Sequence, residues 1–203
     1  MTEKEKMLKG LLYDANYDKE LLADRLKAKD LCFKYNTTLP SDEDSLREII
    51  GELKIKTTEN FFLTPPFYCD YGYNISVGEN FYANHNLIIL DGNKVSFGDN
   101  VFIAPSCTFS TAGHPIDKQR RNKGLEYAHP ITVGDDVWLG ANVTVLPGVK
   151  IGSNVVIGAG SLVNKDIPDG SLAFGNPCKV VRKITEKDRE NMWEYKENPG
   201  LEE

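Results

Sequence analysis

Across residues 133–168 an aliphatic side chain returns at every sixth position: Val133, Leu139, Val145, Ile151, Ile157 and Val163. The next place is Gly in four of the six units, and the fifth is Val or Ile in five, with Ser161 the exception. An amphipathic helix repeats at about 3.6 residues and a half-buried strand at about 2, so a strict six fits neither. It fits a solenoid of very short strands, in which each unit lays one flat side of a coil and turns its first residue inward. Looser units begin upstream at Val77-Gly78, Ala83-Asn84 and Ile89-Leu90, and, after a slip of two residues, at Phe97-Gly98, Ile103-Ala104 and Phe109-Ser110. In that frame the next units would begin at Pro115, Arg121 and Tyr127, which cannot form a stacked aliphatic column. Residues 115–130, with Lys118, Arg120, Arg121, Asn122, Lys123 and Gly124, are therefore predicted to be a loop ejected from the solenoid. Loops of that length in compact domains are usually functional or disordered.

The two ends follow other rules. Glu, Lys, Leu and Asp dominate residues 1–56, and no Gly occurs between Gly10 and Gly51. Leu8, Leu11 and Leu12 share one helical face, and Leu21, Leu22, Leu26 and Leu31 suggest a second helix. Leu46, Ile49, Ile50 and Leu53 predict a third, starting at Ser41 behind Pro40, with Asp42 and Asp44 complementing the dipole of its first turn. These helices are expected to cap the first coil, whose open strand edges would otherwise invite pairing. Residues 57–67, with Pro65-Pro66, read as a connection into the solenoid. Pro168, Gly170, Gly175 and Pro177 break the repeat, residues 179–182 form a short extended or turn segment, and Thr185 N-caps a helix over 185–195. Residues 198–203 are expected to be a mobile tail. The division is a helical cap, 1–56; a β-helix domain, 57–184, with its ejected loop; and a C-terminal helix and tail, 185–203.

Bulk numbers narrow the function. The 203 residues suit one large domain, and 40% hydrophobic with 27% charged residues is ordinary for a soluble globular chain. A net charge of -6 argues against nonspecific nucleic-acid binding. No apolar run approaches the roughly 20 residues that cross a bilayer. The first residues, Met-Thr-Glu-Lys-Glu-Lys, hold no apolar signal core, so the expected location is cytoplasmic. Cys32, Cys69, Cys107 and Cys178 are scattered and make no CxxC pair, which predicts reduced, buried thiols and no zinc site.

Stacked Val and Ile do no chemistry, so the candidates are polar residues at coil corners and in the loop. His114 ends the last regular unit, in Thr-Ala-Gly-His-Pro. Pro115 biases its backbone towards extended and Gly113 permits close approach. Histidine there suits a general base at neutral pH.

The hexapeptide array, Cys69-Asp-Tyr-Gly-Tyr-Asn-Ile, Phe81-Tyr-Ala-Asn84, the Gly-His-Pro before a long loop, and Gly175-Asn-Pro together resemble the sugar O-acetyltransferases of the maltose and galactoside type. The helical start is similar to that family's N-terminal maltose-acetyltransferase segment, so the likeness covers nearly the whole chain. It implies a left-handed parallel β-helix, a homotrimer with active sites between subunits, and transfer of acetyl from acetyl-CoA to a sugar hydroxyl without a metal. His114 matches the catalytic base, and Glu126 would orient it through its other ring nitrogen. Asn84, where the repeat would accept Gly, matches an Asn beside the acetyl group. Asp14, Asp70 and Asp91 match positions lining the acceptor site. Ala141 and Ala159 match positions whose backbone faces the pantetheine arm, Asn164 and Lys165 a pair at the lower end of that groove, and Lys179 and Arg182 contacts to CoA phosphates. Trp138, in the last place of a unit, flanks a groove or packs at a subunit contact. The galactoside enzymes carry a second carboxylate where this chain has Gly92, and Ser where it has Asp70; both differences pull towards the maltose-type branch. Three rivals are weighed. The first is acetyl transfer to an antibiotic or amino sugar on the same scaffold. The second is a carbonic-anhydrase-like metal site, for which His85, His114 and His129 lack the close histidine pair. The third is an inactive solenoid, in which the polar residues would have no role.

Overall fold

In a computed structural model, which describes residues 1–190, the repeat forms a parallel β-helix of about six turns with three flat faces. The first face stacks Phe61–Leu63, Phe81–Ala83, Phe102–Ile103, Val137–Leu139, Val155–Ile157 and Ser171–Phe174, closed by the antiparallel strand Lys179–Lys183. The second stacks Phe67–Cys69, Leu87–Leu90, Thr108–Ser110, Thr144–Val145 and Leu162–Val163. The third stacks Ile75–Ser76, Val95–Phe97, Ile131–Val133 and Lys150–Ile151. The coil begins earlier than the sequence suggests. Residues 61–63 and 67–69, read as part of or next to a connection, already pair in parallel with the next turn.

The first-place residues Val133, Leu139, Val145, Ile151, Ile157 and Val163 are all buried, as the inward column requires. The fourth place explains the corners. Asp136, Asn142, Gly148, Asn154 and Gly160 all have positive φ, the left-handed region that Gly and Asn enter at least cost.

Register gives the two-residue slip a structural meaning. Tyr82 pairs with Phe102 and Ile88 with Thr108, so a turn takes twenty residues there; Trp138 pairs with Val156 and Thr144 with Leu162, a turn of eighteen. The extra residues fall at the corner between the second and third faces, in residues 70–74 and again in 91–94. At the third turn the ejected loop leaves from the same corner, between Ser110 and Ile131. Slip and loop are therefore consecutive elaborations of one edge of the prism.

The loop is more ordered than its composition predicts. Ala112–Gly113 and Leu125–Ala128 form an antiparallel hairpin around a short helix, Lys118–Asn122, that Asp117 N-caps. Its return strand also pairs with Tyr13–Asp14, so the cap is laced to the loop.

The cap has three helices: α1, Glu3–Leu8; α2, Lys19–Thr37; and α3, Glu43–Glu52. The first is shorter than its Leu pattern implies, because Gly10 turns at φ +69°; Met7 is buried while Leu8 and Leu11 are exposed. In α2 the buried face is Leu21, Ala28, Leu31, Cys32 and Tyr35, and Leu22 and Leu26 are exposed. The third helix begins one turn position later than predicted, with Asp42 rather than Ser41 at its cap accepting the Ser45 amide. Most of this face packs on the inward column of the first turns. Leu21 and Met7 instead join Tyr13, Ala15, Tyr71 and Ala128 in a second cluster beneath the loop. The four thiols are free and buried. At the far end a helix spans Lys187–Glu190 within the predicted 185–195; Thr185 and Glu186 precede it, with the Thr185 amide donating to Asp188 at 2.8 Å, and residues 191–195 and the 198–203 tail lie outside the described residues. No helix among the described residues is long and apolar enough to cross a membrane.

Candidate active site

His114 stands where the hairpin leaves the second face, half exposed. Successive residues of the return strand address its two ring nitrogens. The Leu125 carbonyl accepts from Nδ1 at 3.0 Å, and the Glu126 carboxylate lies 3.7 Å from Nε2. With Nδ1 as donor, Nε2 carries the lone pair and faces the site. This exchanges the expected parts: a backbone carbonyl orients the imidazole, and Glu126 stands on the side where a proton would be taken up. Register brings both groups close: the hairpin pairing of Gly113 with Tyr127, carried one residue further, sets His114 opposite Glu126, with the neighbouring Leu125 carbonyl at Nδ1. Sequence spacing could not reveal a backbone acceptor, which carries no residue signature.

Asp70 sits at the same corner, partly buried, in the extra residues of the first turn. Burial raises its carboxyl above the usual range, the Arg25 charge lowers it, and Glu126 raises it again. Arg25, from α2, is itself anchored on the Ala15 carbonyl. Asp14 uses one oxygen in an Asx turn, accepting the Asn16 and Tyr17 amides at 3.1 and 3.0 Å. The structure thus gathers Asp14, Asp70, His114 and Glu126 around one corner, roofed by the cap.

Asp91 is the exception among the predicted acceptor residues. It is 0% exposed, and its carboxylate accepts the amides of Asp70 at 3.0 Å, Tyr71 at 2.8 Å and Asn74 at 3.4 Å. It lies behind the site and shapes it; it does not present a carboxylate to a ligand. Burial pushes its carboxyl up to about 7, with the Tyr71 and Asn74 amides pulling the other way.

The remaining predicted residues fall on other edges. Asn84 is at the corner between the first and second faces, where its Oδ1 accepts the His85 amide at 2.7 Å and leaves the side-chain amide as donor. Ala141 and Ala159 continue that edge down the solenoid. The coils are tight there: a Cβ on Gly140 would come within 2.6 Å of the Ala159 nitrogen. Beside Asn84 an open cleft of about 410 Å³ is lined by Tyr82, Phe102, Ile103, Ala104 and Trp138. Asn164 and Lys165 are exposed on the His114 edge two turns further on. Lys179 is exposed on the closing strand, whereas Arg182 is held in a bidentate pair by Asp188 at 2.6 and 2.8 Å, so an incoming phosphate would compete with that carboxylate.

Apart from Lys179 and Arg182 on the closing strand, the candidate residues therefore occupy two edges of one chain, separated by the width of the second face. Three or four strand residues span about 10–13 Å. The outward side of the first face is apolar at every level, with Phe62, Tyr82, Phe102 and Trp138 followed by Val156 and Leu172 in register. Phe62 and Tyr82 stack at 5.8 Å, and Trp138 remains 51% exposed, which places it at the cleft rim and on this stripe together.

Comparison with known proteins agrees along the chain. Residues 6–53 match the maltose acetyltransferase hexapeptide capping motif, and residues 130–165 match the bacterial transferase hexapeptide, six repeats. A Saccharomyces cerevisiae chain, carried provisionally as an acetyltransferase, is 59% identical over 91% of this chain and 94% of its own length. The crystal structure of a maltose O-acetyltransferase from Clostridium difficile 630 superposes with a TM-score of 0.88 at 48% identity, covering 91% of this chain and 98% of that one. A galactoside acetyltransferase in complex with coenzyme A gives a TM-score of 0.89 at 41% identity, covering 96% and 97%.

Proposed function

Because the chain belongs to the hexapeptide-repeat acetyltransferases that carry the maltose-acetyltransferase cap, we propose that it moves an acetyl group from acetyl-CoA to a hydroxyl of a sugar of the maltose, glucose or galactoside class. The observation that carries this reading is the fixing of His114 by the Leu125 carbonyl, which leaves Nε2 as a base beside partly buried carboxylates suited to sugar hydroxyls.

In this mechanism the acceptor hydroxyl lies between His114 and the acidic corner of Asp14 and Asp70. Nε2 takes its proton as the oxygen attacks the thioester carbonyl, and the thiolate leaves with the proton returned from the imidazolium. A thioester is already activated, so no Ser or Cys nucleophile is required. The Asn84 amide donates to the acetyl oxygen as charge develops on it. The Ala141–Ala159 edge, whose side chains are small, borders the pantetheine arm, and Asn164, Lys165, Lys179 and Arg182 serve its lower end and phosphates. A panel of sugars and amino sugars assayed with acetyl-CoA by free-thiol release tests the acceptor class. Transfer to hydroxyls of neutral sugars is expected; turnover confined to amines would overturn the assignment.

Asn84 and His114 lie on different edges, and nothing among the described residues covers the apolar outer side of the first face. Both features support a homotrimer in which each site takes His114 from one subunit and Asn84 from its neighbour. His114→Ala and Asn84→Ala should each be nearly inactive as pure proteins. Refolded together, they should recover activity in the fraction of sites that inherit both wild-type residues. Two inactive proteins that stay inactive in verified mixed oligomers would rule out the shared site.

A further inference from the structure

Tyr13 belongs to the cap, yet it reaches the loop. It lies directly across the antiparallel ladder from Glu126, and its phenol donates to Glu126 Oε2 at 3.0 Å. Its ring is 1% exposed, packed among Met7, Ala15, Leu21, Tyr71 and Ala128. Burial and the Glu126 charge keep the phenol protonated, so toward a carboxylate it acts as a donor. The place exists because residue 92 is Gly: a Cβ there would stand 3.2 Å from the Tyr13 hydroxyl and 3.2 Å from the Ala128 methyl.

The other Glu126 oxygen faces His114 Nε2 at 3.7 Å. That separation is beyond a hydrogen bond but close enough for a strong Coulomb interaction with an imidazolium. A modest side-chain rotation would close it into a direct contact that occupies the nitrogen. From this geometry we infer that Tyr13 is a positioning residue that tethers Glu126 beside His114 without letting it cover Nε2. The carboxylate then steadies the imidazolium formed when His114 takes a proton, while the nitrogen stays open to the acceptor hydroxyl. The inference rests on His114 being the base, and it adds a residue of the cap to the control of that base.

Tyr13→Phe removes the tether and keeps the ring that fills the cluster. Kinetics on the full oligomer should give a kcat about tenfold lower with the KM for acetyl-CoA unchanged. Glu126→Gln should lower kcat by a similar factor, and the double variant should be no worse than Glu126→Gln alone, because the tether then has nothing to hold. A purely structural Tyr13 would give multiplicative losses in the double variant, or a loss that follows melting temperature; either result overturns the proposal, as does wild-type kcat in Tyr13→Phe. The His114 assignment fails separately, through high turnover in His114→Ala, whatever Tyr13→Phe does. Gly92→Ala supplies a second probe: its methyl would crowd the Tyr13 hydroxyl, so it should lower kcat in wild type and by a smaller factor in the Tyr13→Phe background, where only the Ala128 contact remains.

Discussion

His114→Ala is expected to reduce acetyl transfer by a factor of about 10²–10⁴, the range that a positioned general base contributes. The fold should not change. The imidazole is 48% exposed, and its one close hydrogen bond, to the Leu125 carbonyl, is at a site water can reach. Acetyl-CoA affinity, measured by calorimetry, should stay within a few-fold of wild type, because the His114 side chain bonds to the Leu125 carbonyl and to none of the residues assigned to the cofactor. The loss should therefore be in kcat, with circular dichroism and melting temperature unchanged. Added imidazole, small enough to enter the vacated space, should restore part of the rate. Turnover within threefold of wild type would remove His114 from the mechanism and leave Glu126 or Asp70 to act as the base.

Much of this site is readable in the sequence because the solenoid makes position nearly periodic. The inward aliphatic column, the breakdown after His114 and the odd Asn at 84 are all departures from, or obedience to, a period of six. What the period does not encode is contact between segments far apart in the chain. The ladder of Tyr13 with Glu126 joins residues 113 apart, so Tyr13 reads only as one more apolar residue near a helix end. The same holds for Leu125, whose role is carried by its backbone. The cap helices show a different limit. Leu22 and Leu26 have the spacing of a buried face, yet Ala28, Cys32 and Tyr35 are buried and those leucines are exposed. The coil surface is already crowded with Phe67 and its neighbours, so the helix presents its smaller side and Tyr35 packs edge-on against Phe67.

The two-residue slip also gains a cause. At an ordinary hexapeptide corner a spare amide is taken by an exposed Asp or Ser of the next coil, as Asp135 takes that of Asp99 at 2.8 Å; the widened corner of the first turn has several in the interior, and a buried acceptor must take them. Asp91 is that acceptor. From the second turn it gathers amides of the first, while Asn74 returns the bond by donating to the Asp91 carbonyl at 2.7 Å. The widened edge is thereby tied together at the level of Asp70, the carboxylate proposed for the acceptor. The sequence points to Asp91 for its charge; the structure uses its two oxygens as a backbone clamp.

Asp91→Ala should for that reason cost roughly 3 kcal/mol of stability, since it leaves buried amides of Asp70, Tyr71 and Asn74 without their acceptor, and it should release Asp70 and lower activity as well. Asp91→Asn should behave differently, because its amide oxygen still accepts the two shorter bonds and carries no buried charge. The pH dependence separates charge from hydrogen bonding. The Asp91 carboxyl is raised from 3.8 to about 7 on folding, so between those values the native chain holds a proton that the unfolded chain has lost. Its contribution is fully present below the unfolded value and is lost as pH rises through 7. Between pH 6 and 8 that loss amounts to about 1.4 kcal/mol, or a fall of about 3–6 °C in melting temperature for a chain of this size. Asp70 is raised in the same direction by its burial and adds a decline of the same sign. Thermal melts at fixed protein concentration should show this decline in wild type and its absence in Asp91→Asn, which should equal or exceed wild-type stability at pH 8. A wild-type slope that survives Asp91→Asn unchanged would mean that the carboxylate is ionised throughout this range, held so by its three amide donors.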